Sequence, residues 1–190
     1  MILTENSFKV LRRELFPTLS QVQVDSLNYL VQRCKHFELT YPEAAYVLAT
    51  AYHETGYAET VNGKRVINRD MLPIKERGSA EYLRSKKYYP YIGYGYVQLT
   101  WEDNFRCVGK LIGVDLINHP EKALEKDIAS EILIKGMVFG WFTGVGFHRK
   151  CPVYRYNLAS YIRARKIVNG TDKAQVVAEY AMQFEKALRS

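Results

Sequence analysis

"TYPEAAYVLATAYHETG", residues 40–56, contains the clearest helix signal in the chain. Thr40 and Glu43 have the spacing of a capping box, and Pro42 suits a first helical turn. The apolar residues that follow recur at the i, i+3, i+4 and i+7 spacing of one helix face: Ala45, Leu48, Ala49 and Tyr52. The stretch therefore predicts a helix that buries this face.

Glu54 falls near the end of this helix, where a carboxylate gains no stability from the helix macrodipole. A charge placed against local preference hints at a role other than stability. His53 precedes it, but a zinc-binding H-E-x-x-H helix would need a second histidine where Tyr57 stands. The remaining histidines show no ligand spacing: His36, His119 and His148. The sequence implies no metal or cofactor.

Helix-period patterns also occupy the rest of the chain, with no internal repeat or flexible linker between them. We predict four further helices: Ser20 to Cys34, Pro120 to Phe142, Val153 to Val168, and Thr171 to Leu188. The last has Thr171 as a candidate N-cap and an apolar stripe formed by Val177, Tyr180, Ala181, Phe184 and Leu188. With 190 residues, 47% of them hydrophobic, this predicts a mainly α fold and a single domain over residues 1–190.

The segment between Gly56 and Tyr96 breaks the helical pattern, and we expect a loop there. Six tyrosines lie between Tyr82 and Tyr96. Loops of this composition between rigid helices are common places for functional sites. The flat faces of tyrosine suit sugar rings or bases, although they also serve ordinary packing.

The net charge of +7, from 27 basic and 20 acidic residues, favours polyanionic partners. Residues 141–170 hold six basic and no acidic residues: Arg149, Lys150, Arg155, Arg163, Arg165 and Lys166. This stretch is either a contact surface, for example for an anionic wall or outer membrane, or an ordinary solvated helix. No nucleic-acid recognition motif accompanies the charge.

The three cysteines, Cys34, Cys107 and Cys151, are odd in number and widely separated, which favours reduced, mostly structural thiols. The N-terminal "MILTENSFKVLRREL" lacks the apolar run of a signal peptide. We therefore expect the chain to be made and folded in a cytoplasm, as a monomer.

Since a zinc site is excluded, the remaining catalytic role for Glu54 is acid/base catalysis together with a second carboxylate. Glycoside hydrolysis needs one protonated carboxyl group to donate to the leaving oxygen and an ionised one to activate water or to attack the sugar. Burial at the edge of an apolar face could suit Glu54 to the acid role. Composition alone does not choose its partner among four candidates: Glu59, Asp70, Glu76 and Glu81.

Two segments, "ATAYHETG" (49–56) and "YIGYGYVQLTWEDNF" (91–105), together resemble the family 19 glycoside hydrolases, which include plant-type chitinases and, more closely here, small phage endolysins. The family pattern is a helix ending in His-Glu-Thr-Gly, a loop with a second Glu, then Gly-Arg-Gly-x-x-Gln-Leu-Thr/Ser and an Asn four positions on. The corresponding residues of this chain are Gly93, Gly95, Gln98, Leu99, Thr100 and Asn104. Tyr94 stands where the family has arginine, which puts the details of that loop in question.

The resemblance extends over residues 40–188. "LPIKERG" (72–78) is similar to the endolysin loop that carries the second Glu, which would be Glu76, and "KIVNGTDKA" (166–174) contains a similar Asn-Gly turn at Asn169 and Gly170. It implies a lysozyme-like or chitinase-like domain with a cleft between helical parts. Glu59 remains the rival to Glu76: it would lie on another face of an ideal helix, unless the helix has already ended.

The resemblance implies inverting hydrolysis of a β-1,4 glycosidic bond. Glu54 would be the acid, Glu76 the base, and Thr100 would hold the attacking water, with the carboxyl groups roughly 6.5 to 9.5 Å apart. The expected substrate-binding residues are His53, Tyr96, Gln98, Asn104 and Asn169, although each amide could instead hold a turn. Trp101 could line the cleft or belong to the core.

The substrate expected from the resemblance to endolysins is bacterial peptidoglycan, which the enzyme would reach from the host cytoplasm after a holin opens the membrane. A chitinase is the alternative, because chitin shares the β-1,4 N-acetylated backbone. A non-catalytic basic protein that perturbs membranes is a third possibility, of a different class.

Overall fold

A computed structural model of the chain describes residues 1–148 and 157–190, and within these residues the fold is mainly helical. The eight α-helices are α1 (Glu5–Glu14), α2 (Gln21–His36), α3 (Tyr41–Glu54), α4 (Ala80–Arg84), α5 (Glu102–Ile112), α6 (Lys126–Phe139), α7 (Leu158–Ala164) and α8 (Ala174–Leu188). Four short strands form two antiparallel pairs: β1 (Tyr57–Val61) with β2 (Lys64–Asn68), and β3 (Ile74–Lys75) with β4 (Tyr94–Gly95). The prediction of a mainly α single domain is confirmed.

Helix α3 lies at the centre of the fold and follows the predicted pattern. Glu43 Oε2 accepts hydrogen bonds from the Thr40 N–H at 2.9 Å and the Thr40 hydroxyl at 2.7 Å, which fixes the start of the helix. Its predicted apolar face is buried, and so are most other residues between Pro42 and Tyr52. Packing against α2, α6 and α8 accounts for this burial on all sides.

Helices α2 and α8 lie where the sequence predicted them, but the predicted N-cap of α8 is wrong. Ser20 caps α2 by accepting from the Gln23 N–H. The predicted α8 stripe packs into the main core. Thr171 is not the N-cap of α8: the helix begins at Ala174, after Lys173 at a positive φ of 55°, and the Thr171 carbonyl accepts from the Ala174 N–H.

The single helix predicted from Pro120 to Phe142 is wrong. A 3₁₀ helix (Pro120–Leu124) comes first, Glu125 is extended at φ −64° and ψ 130°, and α6 follows. Helix α6 ends at Phe139 and is capped by Gly140, which has a φ of 75°. Gly140 approaches the Val145 backbone so closely that an added Cβ would lie 2.8 Å from it. A left-handed glycine at that point ends the helix before Phe142.

Of the helix predicted from Val153 to Val168, the described residues form only the shorter helix α7 and a 3₁₀ turn. Helix α7 begins at Leu158, after Asn157 caps it through the Ala159 N–H, and a 3₁₀ turn (Arg165–Ile167) follows. Residues 149–156 lie outside the described residues. They include one cysteine, Cys151, and three of the six basic residues of the predicted contact surface: Arg149, Lys150 and Arg155.

Sequence patterns did not anticipate α1, α5 or the β1–β2 hairpin. The segment expected to be a loop after Gly56 pairs Tyr57 with Asn68 and closes through Asn62 and Gly63, both at positive φ. Asn-Gly is the favoured pair for a two-residue hairpin turn, so this signal was present in the sequence.

Two apolar clusters make up the interior. The larger one joins α2, α3, α7 and α8, whereas the smaller one joins α5 to the segment around Ile92 and Leu99. Helix α6 contributes to both clusters, with Leu133 in the first and Ile132 in the second. The boundary between the clusters is the place where the chain forms a cavity.

Across residues 1–148 and 157–190, every helix is too short or too polar to cross a membrane.

Candidate active site

Glu54 is the last residue of α3, and its carboxylate is paired with a buried arginine. Glu54 Oε1 lies 2.7 Å from Arg165 Nη1, and Arg165 Nε donates to the Asp172 carbonyl at 2.7 Å. The Arg165 side chain is 1% exposed. Arg165 therefore does not belong to the basic contact surface predicted over residues 141–170, in which Arg163 and Lys166 are exposed. A buried guanidinium needs such a partner, because an unpaired charge in the interior is costly.

His53 precedes Glu54 and is half-buried. Burial lowers its pKa, the Glu54 carboxylate opposes this, and the positive charges of Arg165 and Arg69 lower the pKa further. Its Nδ1 atom is buried and has no hydrogen-bond partner among the described residues. The imidazole is thus held in a setting that favours its neutral form.

Arg69 anchors the end of α3 from the segment after the β1–β2 hairpin. Its Nη1 donates to the Tyr52 carbonyl at 2.5 Å, and its guanidinium carbon lies 4.3 Å from the centre of the Tyr52 ring. A cation at the C-terminus of a helix satisfies a free carbonyl and complements the helix dipole. The hairpin and the helix end that carries Glu54 are therefore tied together.

Glu76 follows β3, and the structure fixes both oxygens of its carboxylate. Oε1 accepts from the Tyr88 hydroxyl at 2.9 Å, and Oε2 accepts from the Gly93 N–H at 3.0 Å. The Glu76 N–H donates in turn to the Gly93 carbonyl at 2.6 Å. The hydrogen bond to Glu76 is the main cause of a raised pKa at Tyr88. Glu76 is thus held in one orientation beside β4.

Glu59 lies on β1, since α3 has already ended at Glu54. The helical-face argument against Glu59 therefore does not apply. Its Oε1 accepts from Asn68 Nδ2 at 3.2 Å across the hairpin. This contact ties Glu59 to the hairpin.

Gln98 joins β3 to β4. Its Nε2 donates to the Ile74 carbonyl at 2.9 Å and to the Gly95 carbonyl at 3.3 Å, so both amide hydrogens serve the fold. Gly93 leaves room for the other end of this amide, because an added Cβ would lie 2.6 Å from Gln98 Oε1. Gln98 and Glu76 therefore meet at Gly93, and Gln98 holds the loop in place.

Thr100 and Asn104 continue from Gln98 as a chain of hydrogen bonds. The Thr100 hydroxyl donates to the Gln98 carbonyl at 2.7 Å, and Asn104 Nδ2 donates to the Thr100 carbonyl at 2.7 Å. All three line one cavity of about 210 Å³. Cys107 also lines it and is exposed, so this thiol is not the structural one that the sequence suggested.

The cavity is also lined by residues from later segments of the chain: Trp141, Phe142 and Val168. Val168 ends the 3₁₀ turn that contains Arg165. The cavity thus lies between the element that pairs with Glu54 and the loop that adjoins Glu76. Among the described residues, its lining includes neither glutamate.

Like His53, two other predicted substrate-binding residues do not line this cavity. Tyr96 is 1% exposed and belongs to the main core, so the prediction that it contacts sugar is corrected: its ring has no free face. Burial also raises its pKa. Asn169 is exposed, and its N–H donates to the Arg165 carbonyl at 2.9 Å, next to Val168 on the cavity wall.

Tyr94 occupies the place of the arginine expected in the glycine loop. Its side chain is 7% exposed and packs edge to face against Phe105, with the ring centres 5.9 Å apart. Its backbone pairs with Leu99 in both directions. Apolar packing therefore stabilises this loop at the position where the resemblance led us to expect a charged side chain.

Comparison with known proteins shows a distant chitinase-like relationship. The chain is 28% identical over 109 residues to Endochitinase CH5B of Phaseolus vulgaris, which covers 53% of this chain and 32% of that protein. A second endochitinase of the same plant shows the same identity and coverage. The chain spans about a third of the length of these curated relatives. No family model and no solved structure matches the chain.

Proposed function

We propose that this chain is a glycoside hydrolase that cleaves β-1,4 bonds of bacterial peptidoglycan by inverting acid/base catalysis, in the manner of an endolysin. The observation that carries the proposal is the continuous hydrogen-bonded wall from Gln98 through Thr100 to Asn104, joined to Glu76 at Gly93. The similarity of half the chain to plant endochitinases supports the choice of reaction.

Glu54 is the general acid in this proposal. The ion pair with Arg165 engages Oε1, so among the described residues Oε2 is left to carry the proton to the leaving oxygen. Arg165 is itself immobilised by Asp172 and by burial. It therefore holds the carboxyl group in one orientation, which a proton donor requires.

Glu76 is the general base. Tyr88 and Gly93 donate to its two oxygens, and each carboxylate oxygen can accept more than one hydrogen bond. It would deprotonate a water on the sugar face opposite Glu54. The Thr100 hydroxyl donates its proton to the Gln98 carbonyl. The oxygen of Thr100 can therefore accept a hydrogen bond from that water and orient it.

Asn104 is the best placed of the predicted amides for a sugar. It is exposed on the cavity wall and uses one donor internally, which leaves its carbonyl and a second N–H for an N-acetyl or hydroxyl group. Asn169 is a second candidate, next to Val168 in the cavity lining. His53, beside Glu54, would orient the acid rather than transfer protons.

Peptidoglycan is the proposed substrate, and the net charge of +7 supports an anionic polymer over neutral chitin. Exposed Arg163 and Lys166 would attract the wall or the outer-membrane surface. The enzyme would accumulate in the host cytoplasm and reach the wall after holin action. A chitinase is the second candidate, which the named relatives favour.

The substrate test incubates the protein in parallel with purified peptidoglycan and colloidal chitin, followed by mass analysis of the released fragments. New reducing ends on peptidoglycan sugars support the proposal. The anomeric configuration of the first products, followed by proton NMR, tests inversion. Release from chitin alone favours the chitinase. Peptide fragments without new reducing ends would exclude glycosidase action.

The residue test compares Glu54→Gln, Glu76→Gln and Glu59→Gln. We expect the first two to abolish hydrolysis and the third to leave it near normal. If Glu59→Gln is inactive and Glu76→Gln is active, Glu59 is the base. If Glu54→Gln keeps full lytic activity, the protein is the non-catalytic basic type instead.

A further inference from the structure

Residues 57–90, from the β1–β2 hairpin to the loop before β4, carry a positive charge that the protein does not neutralise. They contain eight basic and four acidic residues. Within the described part of the chain none of the eight cations forms an ion pair, whereas cations of α1, α5, α6 and α8 do. Six of the eight are exposed: Lys64, Arg65, Lys75, Arg77, Arg84 and Lys87. This part of the surface therefore suits an anionic ligand.

Arg77 is held in place by an aromatic ring. Its guanidinium carbon lies 3.6 Å from the centre of the Tyr57 ring, a distance at which the guanidinium is in contact with the ring face. A guanidinium held by one face keeps the N–H groups along its edge available for hydrogen bonds. Across residues 1–148 and 157–190, no carbonyl or carboxylate accepts from them. The ring thus orients a cation that has no partner of its own.

The contact between Arg77 and Tyr57 joins the two segments that carry the proposed acid and base. Arg77 directly follows Glu76, and Tyr57 is the third residue after Glu54. The Cα atoms of Arg77 and Glu76 are therefore about 4 Å apart, and those of Tyr57 and Glu54 at most about 11 Å apart. A polymer bound across the two glutamates lies within reach of the long arginine side chain.

Peptidoglycan and chitin differ in charge at this distance from the cleaved bond. Every second sugar of peptidoglycan bears a lactyl ether, which ends in a carboxylate or continues into an acidic stem peptide. The substituents of chitin are neutral N-acetyl and hydroxyl groups. Arginine binds carboxylates through pairs of charge-assisted hydrogen bonds, which are stronger than bonds between neutral groups. A free guanidinium beside the cleaved bond therefore favours the charged polymer.

We infer that Arg77, oriented by Tyr57, binds the carboxylates that peptidoglycan carries on its lactyl groups or stem peptides, and so selects this polymer over chitin. Arg77 determines specificity and takes no part in proton transfer. The other exposed cations of residues 57–90 raise the local concentration of the same anionic polymer. This inference deepens the proposed function and rests on it.

Calorimetric titration with soluble tetrasaccharide muropeptides tests the inference, in a Glu76→Gln background that prevents hydrolysis. We expect Arg77→Gln to weaken binding at least about tenfold, as loss of hydrogen bonds to a charged group does. Amidation of the muropeptide carboxylates should weaken binding to the Arg77 protein to the same degree. It should leave binding to Arg77→Gln unchanged, because the two changes remove the same contact.

Removal of the stem peptides with an amidase distinguishes the two sources of carboxylate, because it leaves the lactyl carboxylate on the sugar. Binding that depends on Arg77 and survives this removal assigns the lactyl group. Binding that depends on Arg77 and is lost with the peptide assigns the peptide carboxylates. Either result supports the inference.

Two control variants separate charge from geometry. Arg84→Gln removes an exposed arginine of the same segment that, among the described residues, meets neither a carboxylate nor an aromatic ring. We expect it to bind muropeptides within about twofold of the parent, since an exposed charge without a specific contact is screened by salt. Arg77→Lys keeps the charge but loses the planar pair of donors, so it should recover only part of the affinity.

The outcomes distinguish the inference from the proposed function. If the parent hydrolyses peptidoglycan but Arg77→Gln binds muropeptides as Arg84→Gln does, the inference is overturned and the function stands. Equal losses for amidated and unmodified muropeptides in Arg77→Gln also overturn it, because Arg77 would then act only by holding the hairpin. If the parent neither hydrolyses peptidoglycan nor binds muropeptides, both fail.

Discussion

Arg165 Nη1 lies 2.7 Å from Glu54 Oε1, although 111 residues separate them in the chain. The contact joins the end of α3 to the 3₁₀ turn after α7. It explains why a carboxylate stands at the end of α3, where the helix dipole alone would disfavour it. The same pair makes any substitution of Glu54 a structural change as well as a chemical one.

Glu54→Ala should therefore lower the free energy of unfolding, because it leaves the buried Arg165 without its carboxylate. Breaking one side of a buried ion pair costs about 3–5 kcal/mol. Glu54→Gln should cost less, since its amide oxygen still accepts from the guanidinium. Urea denaturation measures both.

Glu59→Ala is the matched control, because Glu59 accepts only a 3.2 Å bond within the hairpin. We expect it to change stability by less than about 1 kcal/mol. If Glu54→Ala and Glu59→Ala lower the free energy of unfolding equally, the buried ion pair contributes no more to stability than the exposed hairpin contact. Arg165→Met alone leaves the Glu54 carboxylate without its partner and should lower the free energy of unfolding. Adding Glu54→Gln removes that unpaired charge, so the double variant should be more stable than Arg165→Met alone.

His53 should make stability depend on pH on the acid side. Burial lowers its pKa in the folded state, so below its unfolded pKa of about 6.5 the unfolded chain binds more protons than the folded one. Stability is unaffected by this group above that pH and falls as the pH drops below it. Denaturant midpoints measured from pH 8 to pH 5 should show the decline.

His53→Asn should flatten that part of the pH profile. Because His36 is exposed, His36→Asn is the matched control for the loss of a histidine side chain as such. If His53→Asn has the same slope as the parent between pH 6.5 and 5, burial of the imidazole does not govern this behaviour.

Cys107 offers a chemical probe of the cavity between the two apolar clusters. It is exposed and lines the cavity, whereas burial raises the pKa of Cys34 to about 12 and keeps that thiol unreactive. In a Cys151→Ser background, we expect a maleimide to modify one cysteine in the folded protein. Hydrolysis of glycan should fall at least about tenfold on modification, since a bulky group fills the cavity beside Thr100.

Cys107→Ser, Cys151→Ser protein should be insensitive to the same treatment. Full activity after complete modification of Cys107, verified by mass, would show that substrate does not use this cavity. Labelling of Cys34 in the native state would contradict its burial.

Gly93→Ala should disturb the junction of Gln98 and Glu76. The added Cβ would lie 2.6 Å from Gln98 Oε1, so the amide must move and weaken its bonds to Ile74 and Gly95. Crowding of this kind costs about 1–3 kcal/mol of stability, and hydrolysis should fall with it because Gly93 also donates to Glu76.

The double variant Gly93→Ala, Gln98→Ala tests the cause. Without the Gln98 side chain there is no amide to displace, so Gly93→Ala should cost less in that background than in the parent. Strict additivity of the two losses in thermal or urea unfolding would exclude the proposed clash.

The sequence predicted α3 and most of α8 correctly, because the patterns that indicate them lie within a few adjacent residues. The Thr40 capping box, the α3 face and the α8 stripe depend on neighbours within one or two turns. The break at Glu125 and the stop at Gly140 were missed, because apolar periodicity continues across both. The Asn-Gly pair at 62 and 63 is also a local hairpin signal, although the polar residues around it are equally typical of a loop.

The candidate site shows the same division. The resemblance to family 19 glycoside hydrolases implies that the segments with His53, Glu54, Gln98, Thr100 and Asn104 belong together, and the structure shows that the last three line one cavity. Tyr96, expected in the cleft from the resemblance, fills the core instead. Its neighbour Trp101, left open between cleft and core, is half exposed.

The sequence by itself determined the mainly helical fold and the order of the polar motifs, because helix periodicity, caps and motif spacing are written in adjacent residues. Only the tertiary structure decided that Arg165 serves Glu54, that Gly93 joins Glu76 to Gln98, and that Arg77 lies against Tyr57. Those contacts bring together distant parts of the chain. They depend on how buried helices pack and on the need of each buried charge for a partner, which no local pattern records.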